Sequence, residues 1–366
     1  MTETDNHMDS KKTALIAMSG GVDSSVAAYL MKQQGFDCTG VTMKLFDNND
    51  IGINSEKACC SLANVEDARD VARSLNMPYY VFNFTDDFKE HVIERFIAAY
   101  ESGATPNPCI DCNRFVKFEK LFHRARQLGM NHIVTGHYAK IEYDKYVGRY
   151  LLKKATDETK DQSYFLYSMT QDQLAHTLFP LGGFCKAEIR DIAAEQGFSN
   201  ARKHDSQDIC FVRDGDYAKF IEEYSGIIHK PGSFIDLHGN ILGVHNGLIR
   251  YTVGQRKGLG LSSPMPLYVH SKNIADNSIT LCEYGELFGK SLDAVDFNWI
   301  AYDKIDSDIR VKAKVRYRQA EQWATATQAS CGTVHIEFDE PQRAIAKGQA
   351  VVLYDVDTVI GGGTIA

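Results

Sequence analysis

Long apolar runs are missing from this 366-residue chain. No stretch approaches the roughly 18 uninterrupted apolar residues of a membrane-spanning helix, so no membrane association is expected. Proline is sparse, with 8 residues, and neither an internal repeat nor a low-complexity segment occurs. Basic residues are the minority charge. Forty Lys and Arg stand against 48 Asp and Glu, a formal net charge of -8. The whole-chain field therefore opposes a polyanion, and a nucleic-acid partner would need a local basic surface. The first twelve residues, MTETDNHMDSKK, have no apolar centre. They read as a loose tail rather than a secretory signal. Nine cysteines are an odd number. With no export signal they are expected to be reduced thiols in the cytoplasm, not a disulfide framework.

What is present is ordinary for a folded protein: 44% hydrophobic and 24% charged residues, which excludes global disorder. The length suggests about two to three domains at roughly 150 residues each. Residues 13–18, TALIAM, are an apolar run of strand length. A helical stretch follows from about Ser24, with Val26, Ala27, Leu30 and Met31 on one face, and stops at Gly35. A second strand is expected over 38–46. Helical spacing returns over 88–100, 115–128 and 186–196, with a strand at 132–136 between the last two. Alternation of strand and helix predicts an α/β fold, a Rossmann-like parallel sheet, over residues 13–212. From Pro231 the chain changes to short β-rich runs broken by Gly, Asn and Asp. Two smaller β-rich domains are expected, at 213–288 and at 289–366, the second barrel-like.

Ser19-Gly20-Gly21-Val22-Asp23-Ser24-Ser25 lies directly between the first strand and the first helix. Two glycines allow a tight turn that brings backbone N–H groups against an anion, and Ser24 and Ser25 put hydroxyls at the helix start. Neither a Walker A loop nor a G-x-G-x-x-G fingerprint is present. A bare Gly-Gly turn would be read as a plain strand-to-helix connection. The full motif in this context resembles that of the PP-loop ATP pyrophosphatases, which adenylate a carbonyl oxygen and release pyrophosphate. The resemblance implies an ATP site from Ala17, Met18, Ser19, Gly20, Gly21, Val22, Asp23 and Ser24, with Asp23 helping to hold Mg2+. It adds Met43 and Gly136 as neighbours of the adenine or ribose.

Thr105-Pro106-Asn107-Pro108-Cys109-Ile110-Asp111-Cys112-Asn113 lies between two helical segments. The prolines hold the approach extended, Asn113 is placed to cap the next helix, and thiols near a helix N-terminus are biased toward thiolate. Cys210 ends Asp205-Ser206-Gln207-Asp208-Ile209-Cys210. Read alone, these cysteines fit inert core residues, a redox pair or a metal site, although a four-ligand zinc set would need a second suitably spaced pair.

The ordered set is more specific than any member. S-G-G-V-D-S-S, C-C-S (59–61), T-P-N-P-C-x-x-C-N, T-G-H-Y, K-D-Q-S-Y-F-L (160–166), D-S-Q-x-I-C-F, G-Q-R-K-G-L-G (254–260) and V-R-Y-R-Q (315–319) occur in this order. From about residue 13 to its end the chain is similar to the bacterial-type tRNA-specific 2-thiouridylases. That resemblance implies ATP-dependent replacement of O2 of the wobble uridine of tRNA by sulfur, with AMP and pyrophosphate released. It implies Cys210 as persulfide carrier, Cys112 as partner nucleophile, and Asn107, Pro108 and Cys109 around the target base. Lys160, Asp161, Gln162, Arg316 and Tyr317 become tRNA contacts. The sulfur donor would be a cysteine desulfurase or a relay protein. Some relatives carry Asp where this chain has Cys109, so an iron–sulfur cluster on Cys109, Cys112 and Cys210 is the alternative sulfur route.

A basic row supports an RNA partner. Arg310, Lys312, Lys314, Arg316 and Arg318 alternate with apolar or aromatic residues. On one strand such cations stand roughly 6.6 Å apart, a spacing suited to a phosphate backbone. A solvated outer strand paired with acidic neighbours is the plainer reading. Arg256 and Lys257 form a second basic loop. Two rivals remain: a PP-loop synthetase acting on a small metabolite, which would not need Cys112 and Cys210, and a non-catalytic nucleotide sensor or RNA-binding protein, which would release no pyrophosphate.

Overall fold

A computed structural model describes residues 12–46, 62–203, 209–212, 215–329 and 332–366. The C-C-S motif, most of the expected tail and Asp205 to Asp208 lie outside the described residues.

The first region opens with β1 (Thr13–Ala17), α1 (Val22–Gln33), β2 (Asp37–Lys44), α2 (Leu62–Ser74) and β3 (Tyr79–Asn83). Two long helical stretches follow, α3 over 85–101 and α4 over 108–127, each widened by π-helical turns. After them come β4 (His132–Val134), the hairpin β5 (Lys140–Asp144) and β6 (Arg149–Lys153), α5 (Gln171–Ala175), β7 (Thr177–Leu178) and α6 (Lys186–Glu195). One sheet runs β3-β2-β1-β4-β7, and all its pairings are parallel. Its central strand is covered on both faces, as a parallel sheet requires. Leu15 faces one apolar cluster, while Ala14, Ile16 and Met18 face another.

The second region contains α7 (Tyr217–Ser225), β8 (Gly232–Ile235), β9 (Ile241–His245), β10 (Tyr268–Asn273) and β11 (Ser278–Cys282). Its four-stranded sheet, ordered β10-β11-β8-β9, closes over Phe234, Val269, Ile279 and Leu281. The third region holds β12 (Phe288–Trp299), β13 (Ile309–Lys314), β14 (Gln322–Gln328), β15 (Val334–Arg343), β16 (Ala350–Asp355) and β17 (Thr358–Ile365). These six strands are antiparallel, and β12 pairs with both β15 and β17, which closes a barrel. Closure leaves the six-stranded ring without a free edge.

Two expectations need correction. Alternation of strand and helix is interrupted, because the β5–β6 hairpin leaves the parallel sheet and joins the barrel through the Thr358–Lys153 pairing. The turn that permits it, at Asp144 and Gly148, is closed by side-chain and backbone bonds to Asp144. The strand expected over 310–318 stops at Lys314. Beyond it Val315 is still buried, and the Arg316 side chain donates to the Val253 carbonyl.

Candidate active site

The phosphate loop is built from its backbone. Gly20 has φ of +74°, and a Cβ there would lie 2.2 Å from the Asn64 carbonyl oxygen. Only glycine satisfies both conditions. The Ser24 and Ser25 hydroxyls each donate to the Gly21 carbonyl, at 3.0 Å. Both bonds brace the turn. Helix α1 begins after Gly21 with no side-chain cap on its first amides. Uncapped N–H groups at the positive end of a twelve-residue helix form an anion site without further help.

Neighbours that sequence reading missed lock this turn. Asn200 Nδ2 donates to the Gly20 carbonyl at 3.1 Å and to Ser25 Oγ at 2.9 Å. Lys203 Nζ donates to the same carbonyl at 3.3 Å and pairs with Asp67 at 2.7 Å. Asp23 is held by Lys186 and by the Tyr138 hydroxyl, 2.8 Å from Oδ1. Gly136, in T-G-H-Y, packs so closely that a Cβ would sit 2.9 Å from the Asp23 carbonyl carbon and the Ser24 nitrogen. Beside it, His137 is buried with Nδ1 2.6 Å from Thr135 Oγ1, and burial holds its pKa well below the usual imidazole value. It is therefore neutral at physiological pH. The expected nucleotide neighbours divide between the sheet's faces. Ala17 and Met43 pack on the cluster that contains Cys112, and Met18 belongs to the opposite one.

The cysteine loop is capped differently from expectation. Asn107 accepts from the Cys109 N–H at 3.2 Å, with Pro108 at the first helical position. Asn113 caps nothing. It is buried within α4 and donates through Nδ2 to the Phe165 carbonyl at 3.1 Å. A nine-residue π-helical stretch begins at Cys112 itself, a distortion that often accompanies function. Cys109 is exposed, Cys112 buried and Cys210 intermediate. Cys210 packs against the cluster that contains Cys112, anchored by Phe211. The Phe211 ring makes edge contacts with Phe88 and Phe96 at 5.7 and 5.3 Å. Burial pushes the Asp111 carboxyl up to about 6, against the pull of Arg95 and Arg114. Arg114 in turn pairs with Asp296 of β12.

The barrel grips the same loop. The Thr105 N–H donates to the Lys347 carbonyl at 2.8 Å, and Gln349 Nε2 donates to the Thr105 carbonyl at 2.7 Å. Tyr317 packs near the end of the K-D-Q-S-Y-F-L stretch. Tyr317 lies 4.4 Å from the Phe165 ring, the residue whose carbonyl Asn113 bonds. Asp161 is buried and accepts from Ala155 N, Ser163 N and Ser163 Oγ. Gln162 Oε1 accepts from the Tyr138 N–H at 2.9 Å. Of the basic row, Arg310 pairs with Asp339, and Arg316 Nη2 donates to the Val253 and Ala344 carbonyls, both at 2.9 Å. Burial lowers the Arg316 pKa from its ordinary value. Arg310 and Lys312 sit over the Trp323 ring at 5.2 and 5.3 Å.

The iron–sulfur alternative does not fit this arrangement. Among the described residues, no three His, Cys, Asp or Glu side chains converge closely enough to hold a metal, so Cys109, Cys112 and Cys210 are not a ligand set here. No described helix is long and apolar enough to cross a membrane.

Three family profiles match the chain: "tRNA methyl transferase HUP domain" over 12–214, "tRNA methyl transferase PRC-barrel domain" over 218–283, and "Aminomethyltransferase beta-barrel domain" over 289–365. The tRNA-specific 2-thiouridylase MnmA of Clostridioides difficile (strain 630) is 51% identical over 97% of this chain and 98% of its own. That of Acetivibrio thermocellus is 50% identical over 97% and 99%. Among solved structures, a 4-thiouridine synthetase–RNA complex with bound ATP aligns over 58% of this chain and 50% of that one. It shares 19% identity at a TM-score of 0.35, too loose to bear weight.

Proposed function

We infer that this chain, which belongs to the tRNA-specific 2-thiouridylase family, is an ATP-consuming sulfurtransferase that converts the wobble uridine of tRNA to 2-thiouridine in the cytoplasm. One observation carries the reading. Ala17 and Met43, at the ends of the strands flanking the phosphate loop, share a single apolar cluster with Cys112 and Cys210. A nucleotide on the loop and a base near the thiols would thus meet on one face of the sheet. The matched ranges support three working units, at 13–212, 213–288 and 289–366.

The chemistry requires nucleotide and thiols to come together. The C2 carbonyl of uracil is a poor electrophile because oxide cannot leave. Attack of O2 on the α-phosphorus of ATP breaks the bond to the β-phosphate oxygen, releases pyrophosphate and makes the oxygen part of an AMP leaving group. The uncapped amides of α1 stabilise the phosphate charge. Asp23 supplies the carboxylate oxygens suited to Mg2+, which would neutralise phosphate charge when bound. The terminal sulfur of a Cys210 persulfide attacks C2 and AMP departs with the former O2. Cys112 thiolate then attacks the Cys210 sulfur, leaving sulfur on C2 and a Cys112–Cys210 disulfide. A thiol reductant resets the pair, and a cysteine desulfurase or relay protein reloads Cys210. Asn107, Pro108 and Cys109 border the extruded base.

The tRNA contacts are proposed in two kinds. Lys160, Lys312 and Tyr317 reach the RNA, while Asp161, Gln162 and Arg316 act through the parts they fix. Nucleoside mass spectrometry on tRNA incubated with protein, Mg·ATP and a sulfur source tests the assignment. Wild type should form 2-thiouridine, and Cys210→Ser and Cys112→Ser should not. A fully active Cys210→Ser protein overturns the persulfide role.

A further inference from the structure

The segment from Thr105 to Pro108, which leads into Cys109, has little with which to hold its own shape. Pro106 and Pro108 have no N–H to donate. The Thr105 hydroxyl is buried with no partner among the described residues, so that side chain adds no tie. What fixes the segment lies in the barrel. The Thr105 N–H donates to the Lys347 carbonyl at 2.8 Å. Gln349 Nε2 donates to the Thr105 carbonyl at 2.7 Å and to the Pro106 carbonyl at 3.4 Å. One amide nitrogen carries two N–H groups, so it can serve both carbonyls. Asn107, Pro108 and Cys109 follow directly, and their backbone starts from a point that the barrel sets.

Gln349 is well placed to act as a fixed point. It stands immediately before β16, its N–H donates to the Ala346 carbonyl at 3.2 Å, and its carbonyl accepts from the Ile365 N–H of the last strand at 2.8 Å. Where this turn meets the loop the two chains touch, since a Cβ on Gly348 would lie 2.9 Å from the Ala104 Cβ. The next residue holds a second stretch: the buried Tyr164 hydroxyl, within 160–166, donates to the Ala350 carbonyl at 2.8 Å. The barrel does not depend on these bonds. Its strands close through β12, and it has a core of its own over Val311, Ala324, Ile336 and Leu353. An amide aimed out of the barrel at two carbonyls of another domain serves the loop.

We propose that Gln349 is a positioning residue for thiolation: its amide sets the loop at Thr105 and Pro106, and through it the place of Asn107, Pro108 and Cys109 around the target base. It acts through the loop and not on the reacting atoms. The barrel thereby shapes the base pocket as well as meeting RNA. The inference rests on the base-pocket reading given above. Phosphate contacts supply most of the affinity for a nucleic acid, so a shifted pocket lowers rate more than binding. A misplacement of about 1 Å can cost about 100-fold in rate.

Single-turnover formation of 2-thiouridine, with enzyme in excess over tRNA and with Mg·ATP and a sulfur source saturating, is the test. It is run on wild type, Gln349→Met and Gln349→Lys, with tRNA affinity from filter binding and folding from circular dichroism. Gln349→Met keeps the length of the side chain and removes the donor. Its rate should fall about tenfold or more while tRNA affinity falls less than about threefold. Gln349→Lys, which returns a donor to the same two carbonyls, should bring the rate back to within about threefold of wild type. A glutamine that merely joined two domains would lower the melting temperature and leave the rate of the folded protein in place. A smaller loss of rate in Gln349→Met, a matching loss of tRNA affinity, or no recovery in Gln349→Lys overturns the proposal. If Gln349→Met does not fold, Gln349→Glu, of the same shape but without the donor, is held to the same criterion. A wild-type protein that forms no 2-thiouridine removes the functional reading and this inference with it, whereas an active wild type matched by Gln349→Met removes this inference alone.

Discussion

The turn at Gly20 and the strand at Lys312 both present positive charge, by different means. At the turn the charge is that of backbone amides at the start of α1, and surrounding side chains serve to hold those amides in place. On β13 the charge belongs to long side chains, each able to choose a partner. Arg310 has taken Asp339, and Arg316, past the strand's end, has taken two carbonyls. A backbone-made anion site is rigid and committed. A side-chain row divides its cations between folding and ligand.

That contrast can be broken, beginning with the largest effect. Gly136→Val would force the segment at Asp23 and Ser24 to move, since even a Cβ is 2.9 Å from both. Calorimetry should show ATP affinity falling by about 100-fold or more. Filter binding should show tRNA affinity nearly unchanged, and retained ATP binding would contradict the backbone-made site. Arg316→Ala leaves the Val253 and Ala344 carbonyls without their donor. Denaturant titration should register a loss of roughly 1–3 kcal/mol. The salt dependence of tRNA binding should not change, because that charge is already engaged.

Asp111 gives a pH test of similar or smaller size. Its folded-state value of about 6 lies above the 3.8 of an unperturbed carboxyl. The folded protein therefore holds the proton more tightly. The stabilising contribution is full below about 4 and is lost as pH rises through about 6. Asp111→Asn should flatten that slope in urea midpoints measured from pH 4 to 7. A persistent slope assigns it elsewhere. Smallest is the pair on Trp323. Lys312→Ala should reduce the slope of log affinity for tRNA against log salt by about 0.7–0.9. Arg310→Ala should leave the melting temperature unchanged, because its bridge to Asp339 is solvent-exposed.

The sequence displayed the loop because Ser19 to Ser25 is local: its glycines, its strand before and its helix after are contiguous. The cysteine helix was legible for the same reason, except for its cap. Asn107 and Asn113 are both good cap residues, and only the long-range bond from Asn113 to Phe165 decides between them. Lys186, Asn200 and Lys203 gave no signal, since each reaches a partner more than 130 residues away. The hairpin over 140–153 had its turn residues in view but was absorbed into the α/β pattern. Alternation over 310–318 correctly forecast burial of Val311, Ala313 and Val315. It could not forecast that Arg316 would find carbonyls at 253 and 344. Local backbone chemistry can be read from sequence, whereas the partner of a flexible cation depends on tertiary contacts.

The union of phosphate loop and thiols in one reaction is best tested with isotope. tRNA carrying oxygen-18 at O2 of the wobble uridine, incubated with Mg·ATP and a sulfur source, should pass the label into AMP in step with 2-thiouridine formation. Unlabelled AMP alongside newly formed 2-thiouridine would show that the uracil oxygen never bonded to the α-phosphorus, and would contradict the mechanism.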